Sequence, residues 1–171
     1  MPSQKQPTMS PLDVVVLIKL QLHQDQELSQ IYLANELFIS QSEVSKSLQR
    51  SRYAGLVVGK YQVMSQALME FIQYGIKYTF PQQLGPVVRG VPTAHSVEPL
   101  IWEIDAEELF VWPSAKGKER GRSIVPLYPS VVDAVKLDSK LHTCLAMIDS
   151  IRVGKARERE MAIDVLKKEL L

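Results

Sequence analysis

The 171-residue chain holds a single cysteine, Cys144, which excludes an internal disulfide and fits a reducing compartment. Charge of one sign is also missing. Lys and Arg number 20 against 19 Asp and Glu, a formal net charge of +1. A global basic field is therefore excluded, and any contact with nucleic acid has to come from local patches. No apolar run reaches the ~18 residues that a membrane-spanning helix needs. The opening "MPSQKQPTM" lacks the apolar stretch of a secretory signal and reads as a flexible tail over residues 1–9, so the expected location is the cytoplasm. What is present is 46% hydrophobic residues, enough for a real core over a length that suits one compact domain or two small ones.

Chemistry-bearing patterns are equally scarce. His142 and Cys144 stand two apart, so on a helix they point about 200° away from each other and make a poor metal pair. A core cysteine beside a polar histidine is the better reading. His95 lies near Thr93 and Ser96, but no motif supplies an orienting acid or an oxyanion hole. "GKERGR" lacks the spacing of a phosphate-binding loop. The expectation is no enzyme, no metal and no cofactor.

The informative stretch is "ISQSEVSKSLQRSRYAGLV", residues 39–57. Ser40 and Glu43 form an S-x-x-E capping box, and Gly55 suits the position just past a helix end, which predicts a helix from about Gln41 to Ala54. At about 100° per residue, Val44, Ser47, Leu48 and Ser51 share one side, while Ser42, Lys46, Gln49 and Tyr53 share the other. Arg50 flanks the outer side. Arg52 lies nearer the packed side, within reach of a neighbouring backbone. Short hydrogen-bonding groups near the helix start with cations further along suit a major groove, where Gln can pair with adenine and Lys or Arg with guanine or phosphate. The plainer alternative is a solvated helix face.

The preceding segments favour the first reading. "ELSQIYLANELFIS" predicts a helix capped by Ser29, with Ile31, Ala34, Leu37 and Phe38 at helical spacing, only about three residues before Ser40. Ahead of it, "SPLDVVVLIKLQLHQ" predicts an apolar helix with Ser10 as cap, Pro11 first and Asp13 in the first turn. Three helices in this order, followed by "AGLVV", resemble the winged helix–turn–helix of bacterial transcriptional regulators of the broad MarR-like group. The resemblance covers about residues 10–64 and rests on Ala34, Leu37, Ser40, Val44, Leu48 and Gly55-Leu56-Val57. It implies that the helix from Gln41 to Arg52 is a recognition helix. Phe38 departs from it where such turns carry Gly, and Ser51 where the pattern carries Leu. For the wing, "VVGKYQV" reads either as a two-residue hairpin with Gly59-Lys60 at the tip or as an extended link. The candidate DNA contacts here are Gln41, Ser42, Ser45, Lys46, Gln49, Arg50, Arg52 and Lys60.

Beyond it, "MSQALMEFIQYGIKYTFP" predicts a helix with Leu68, Phe71, Ile72, Gly75 and Ile76 on one stripe, closing a first domain over residues 10–80. Residues 81–99 are rich in Pro and Gly and read as a linker or irregular loop. In residues 100–171, two β-prone runs flank "SAKGKERG" and predict a hairpin with a basic tip. Its Lys116, Lys118 and Arg120 are further candidate phosphate contacts, a displaced wing. Two helical stretches end the chain, the first bracketed by Pro129 and Gly154 with Leu141, Leu145 and Ile148 apolar, the second with Val165 and Leu166 apolar. The expected architecture is thus mainly α with small β elements (α+β), a winged helix–turn–helix followed by a C-terminal hairpin and helices. The expected function is a sequence-specific DNA-binding regulator, a repressor. It would bind double-stranded DNA as a homodimer paired through apolar stripes outside the reading head, with no membrane partner. The rival expectation is a protein-interaction module, such as an antitoxin or defence-system subunit, that uses the helix–turn–helix as scaffold and has a protein partner.

Overall fold

The computed structural model describes residues 5–171; of the expected tail over residues 1–9, residues 1–4 lie outside the described part. Three helices open the chain, α1 (Pro11–Leu22), α2 (Gln30–Leu37) and α3 (Gln41–Tyr53). A short antiparallel pair follows, β1 (Val57–Val58) and β2 (Gln62–Val63), and then α4 (Ser65–Tyr74) and α5 (Ile76–Thr79). The middle carries β3 (Val87–Pro92), a 3-10 turn over Ala94–Ser96, α6 (Leu100–Glu103), β4 (Phe110–Pro113) and β5 (Glu119–Ser123). The chain closes with α7 (Val131–Ala134), α8 (Ser139–Val153) and α9 (Ala156–Leu170). The architecture is α+β, mostly helical, with two small sheets.

The helix starts follow their caps. Ser40 Oγ accepts from the Glu43 amide at 3.1 Å, and the Ser40 amide donates to Glu43 Oε2 at 2.8 Å, so both halves of the capping box are closed. Ser29 Oγ accepts from the Tyr32 amide at 3.1 Å and starts α2. Asp13 accepts from the Ser10 amide at 2.7 Å at the head of α1. Between α2 and α3, Phe38 takes the left-handed conformation, φ 54° and ψ 45°, that glycine usually fills. The C-terminal helical stretch is split, because Asp138 accepts from the Leu141 amide at 3.0 Å and caps a new helix, α8, after the single turn of α7.

Every residue of α1 from Leu12 to Gln21 is buried. A helix apolar all round needs neighbours all round. α2 and α3 cover one side, and α8 and α9 cover another. One core therefore runs from the opening three helices to the C-terminal pair. Several charged side chains are buried, Lys19 and Asp138 among them. Lys19 Nζ reaches Asp138 at 2.7 Å and Glu36 at 3.2 Å, and Asp138 also meets His23 Nε2 at 2.6 Å. Burial opposes the Asp138 carboxylate, yet Lys19, the Leu141 amide and His23 together hold its pKa down to about 2.

The same core takes up most of the apolar stripes expected to pair two chains. Leu68, Ile72, Leu141, Leu145, Ile148 and Leu166 are all buried within one chain, as α4 packs on α8 and α9. Phe71 meets Phe80 edge-on, with ring centroids 6.2 Å apart. Phe71 and Val165, of the same stripes, are half-buried.

The expected basic hairpin is not formed. β4 and β5 run parallel to each other, and β3 pairs antiparallel with both, so the three strands close on themselves. The missing partner was β3, which lies in the Pro- and Gly-rich stretch expected to be an irregular link. Its Gly90 stands opposite Pro113 and Glu119, and a Cβ on Gly117 would lie 2.2 Å from the Gly90 carbonyl oxygen. Only glycine allows that backbone approach. A buried carboxylate ties this unit to α8. Asp149 Oδ2 accepts from Thr93 Oγ1 and from Trp112 Nε1, each at 2.7 Å, while Oδ1 pairs with Arg152 at 3.0 Å. Burial raises the Asp149 pKa against the pull of Arg152.

Candidate nucleic-acid interface

The outward side of α3 is built by subtraction. Val44, Ser47, Leu48 and Ser51 are buried, which turns Ser42, Lys46, Gln49 and Tyr53 to solvent. Ser47 and Ser51 are small enough to let α3 lie close against α1, but their hydroxyls find no hydrogen-bond partner. Ser42, Lys46 and Gln49 are exposed, and Ser45 between them is half-buried. Gln41, at the first position of the helix, is exposed beside them. Lys46 forms no ion pair among the described residues.

The two arginines of α3 do different work. Arg50 turns inward. Its Nε and Nη2 donate to the fully buried Asp13 carboxylate at 2.8 and 2.7 Å, a two-pronged bond that also raises the Arg50 pKa. Arg50 is therefore bound to α1 and is removed from the set of candidate DNA contacts. Arg52 reaches forward, as its position suggested. Nε donates to the Gly59 carbonyl at 3.0 Å and Nη2 to the Lys60 carbonyl at 2.8 Å.

Those carbonyls belong to the tip of the β1–β2 hairpin. Val57 pairs with Val63 and Val58 with Gln62, which leaves a three-residue loop, Gly59-Lys60-Tyr61, one residue longer than the hairpin alternative foresaw. Gly59 has φ 58°, as the turn requires. Lys60 is exposed at the tip, with Nζ 5.2 Å from the centre of the Tyr61 ring. Arg52 thus fixes the hairpin to α3, and Lys46 and Lys60 lie on the two elements it joins.

A second brace comes from far along the chain. The Tyr128 hydroxyl donates to Glu43 Oε1, and Ser130 Oγ donates to the Leu37 carbonyl at 2.6 Å. The phenol bond, followed by the Ser40 amide, pulls the Glu43 pKa below the usual carboxylate range and pushes the Tyr128 phenol up. Both oxygens of the Glu43 carboxylate are thereby engaged. Neither Tyr128 nor Ser130 carried a local signal, because their partners lie 85 and 93 residues away.

Lys116, Lys118 and Arg120 are exposed, but they belong to the three-stranded unit and not to a displaced wing. Two histidines elsewhere bond to backbone carbonyls. His95 Nε2 meets the Glu108 carbonyl at 2.9 Å, and His142 Nε2 meets the Pro92 carbonyl at 2.8 Å. Burial lowers the His142 pKa and raises that of Cys144 to about 12, well above that of a reactive thiol. Among the described residues no group of three His, Cys, Asp or Glu side chains is placed to hold a metal ion, and no helix is long and apolar enough to cross a membrane. Comparison of the chain with models of protein families, with curated proteins and with solved structures finds no match.

Proposed function

We propose that the protein is a sequence-specific DNA-binding transcriptional regulator, a repressor, with α1–α3 and the β1–β2 hairpin acting as a winged helix–turn–helix. The observation that carries this reading is the outward side of α3. It presents small hydroxyls, an amide and an unpaired lysine, and Arg52 locks it to a hairpin tipped by Lys60. Ser42 and Ser45 permit close approach to a groove floor. Gln49 is the candidate for base reading, and Lys46 and Lys60 for phosphate. One recognition helix spans only a few base pairs, so the reading includes a twofold pair bound at half-sites one helical turn apart. The surface used for pairing is other than the internal stripes of α4, α8 and α9.

The test is a gel-shift series against a genomic fragment library. Lys46→Ala weakens binding to all fragments and flattens the salt dependence. Gln49→Ala relaxes preference at one base position, by about 1–3 kcal/mol. If both variants bind like the parent, α3 is not a reading element. Light scattering at micromolar concentration checks the pair, and a monomer both free and on DNA rejects it.

The rival, a protein-interaction module, is favoured by a different observation. Tyr74, Tyr78 and Trp102 are each at least 70% exposed, on α4, α5 and α6, which all pack against α8 or α9. Aromatic residues so exposed are over-represented at protein interfaces.

A further inference from the structure

We infer that the β3–β5 ladder carries a second, sequence-independent binding surface for the phosphate backbone of duplex DNA, centred on Arg89 and Arg120. The inference rests on the reading of the protein as DNA-binding, but not on α3. Register brings these two residues together. Arg89 stands directly opposite Arg120 in the antiparallel β3–β5 pair. Residues opposed in this way share one face of the sheet, with Cβ atoms about 5 Å apart. Like charges so placed repel, and the repulsion destabilises the sheet unless something neutralises it. Among the described residues no acidic partner does. Both side chains are exposed, and neither forms an ion pair among the described residues.

The surroundings sharpen the chemistry. Glu119, the acid adjoining Arg120, is paired with Gly90 and so falls on the opposite face. Arg122, two residues beyond Arg120, is not free. It donates to the Gly85 carbonyl at 2.6 Å and lies 3.7 Å from Glu108. Exposed Lys118, two residues before Arg120, extends the charge at the other end. By register Phe110, opposite Arg122, and Trp112, opposite Val91, share this face, but Trp112 is buried and Phe110 is half-buried against His95, so neither ring is open to a base. Single-strand binders stack bases on aromatic side chains. A cationic face whose rings are closed to stacking fits the continuous phosphates of a duplex, held by charge alone.

The test uses the full chain and a duplex of arbitrary sequence, with binding followed by anisotropy over a range of salt. In the double variant Arg89→Thr with Arg120→Thr, the slope of log K against log salt becomes shallower by about 1.8, for two lost phosphate contacts. The thermal midpoint stays or rises, since a repulsion has gone. The double variant to Lys keeps the parent slope. If the threonine variant fails to fold, the single Arg120→Gln is read on the same scale, with an expected change of about 0.9. An unchanged slope overturns the inference, as does tighter binding of a single strand than of the duplex. So does equal binding to polyglutamate that is lost in the same variants, which would make the face a general polyanion surface. An unchanged slope here with altered specificity in Gln49→Ala rejects the ladder and leaves α3 as the reader. A changed slope with normal Lys46→Ala and Gln49→Ala does the reverse.

Discussion

The outer side of α3 and the outer face of the β3–β5 ladder each carry a cluster of cations, and they use them differently. On α3 the guanidinium groups are held by the protein, Arg50 by Asp13 and Arg52 by the hairpin carbonyls, while the ammonium of Lys46 is free. On the ladder Arg122 is held by backbone carbonyls, while Arg89 and Arg120 are free. Both segments carry a similar local charge excess, yet counting charges does not say which of them face outward. A guanidinium is lost to the surface when its planar fork finds a matching carboxylate or pair of carbonyls. Those partners sit on other elements, and only the fold reveals them.

The largest test of this comparison removes one side of it. A chain ending after residue 80 keeps α1 to α5 but strips α8 and α9 from α1. It is expected to be unfolded or aggregated by circular dichroism and light scattering; a soluble helical fragment with a cooperative melt would show that α3 and its hairpin stand alone. Next in size is Arg50→Ala, which leaves Asp13 buried and unpaired. A loss of about 3–5 kcal/mol is expected from breaking a buried pair, with Lys46→Ala unchanged in stability under the same urea titration. Equal, small effects from both would place Arg50 outside with Lys46.

A smaller effect is tied to pH. The Asp138 carboxyl titrates near 2 in the fold, against an ordinary value of 3.8. Its pKa is depressed, so its contribution is full above pH 4 and is lost as pH falls towards 2. That contribution is about 2 kcal/mol. Between pH 5 and pH 2 the parent should lose about that much more stability than Asp138→Asn, measured by urea midpoints at each pH. Parallel losses would mean that the Lys19 pair does not hold this carboxylate. The smallest effect is at the turn before α3. Phe38→Gly removes a side chain from a left-handed residue and is expected to stabilise by up to about 1 kcal/mol. A drop in midpoint instead would show that the half-exposed ring contributes more by packing than its backbone costs.

How much was legible in the sequence follows the range of the interactions. The start of α3, its buried and exposed sides and the glycine after it depend on neighbours within a few residues, and Ser40, Glu43 and Gly55 announce them. Arg52 bonds only 7 and 8 residues ahead, and its reach to a neighbouring backbone follows from its place on the helix. Arg50 bonds 37 residues back, and its position on the helix wheel could not show it. The three-stranded unit was missed for the same reason. β3 is short, carries Gly90 and ends in Pro92, and it becomes a strand only because β4 and β5 lie against both its edges. The two runs after it have the composition of a hairpin. They are separated by Gly117, which hugs the Gly90 backbone, so the chain crosses over β3 before returning parallel.

Because α1 is buried against α3 on one side and against α8 and α9 on the other, it works as a rod shared by both ends of the molecule. Lys19 pins that rod to the cap of α8, and Asp13 pins it to α3. Whatever takes hold of α8 and α9 therefore takes hold of α3 as well, and turns it as a wheel is turned by its axle. In the proposed DNA-bound pair, a partner gripping the C-terminal helices would change where the two axles point relative to each other, and leave the outward side of each α3 as it was.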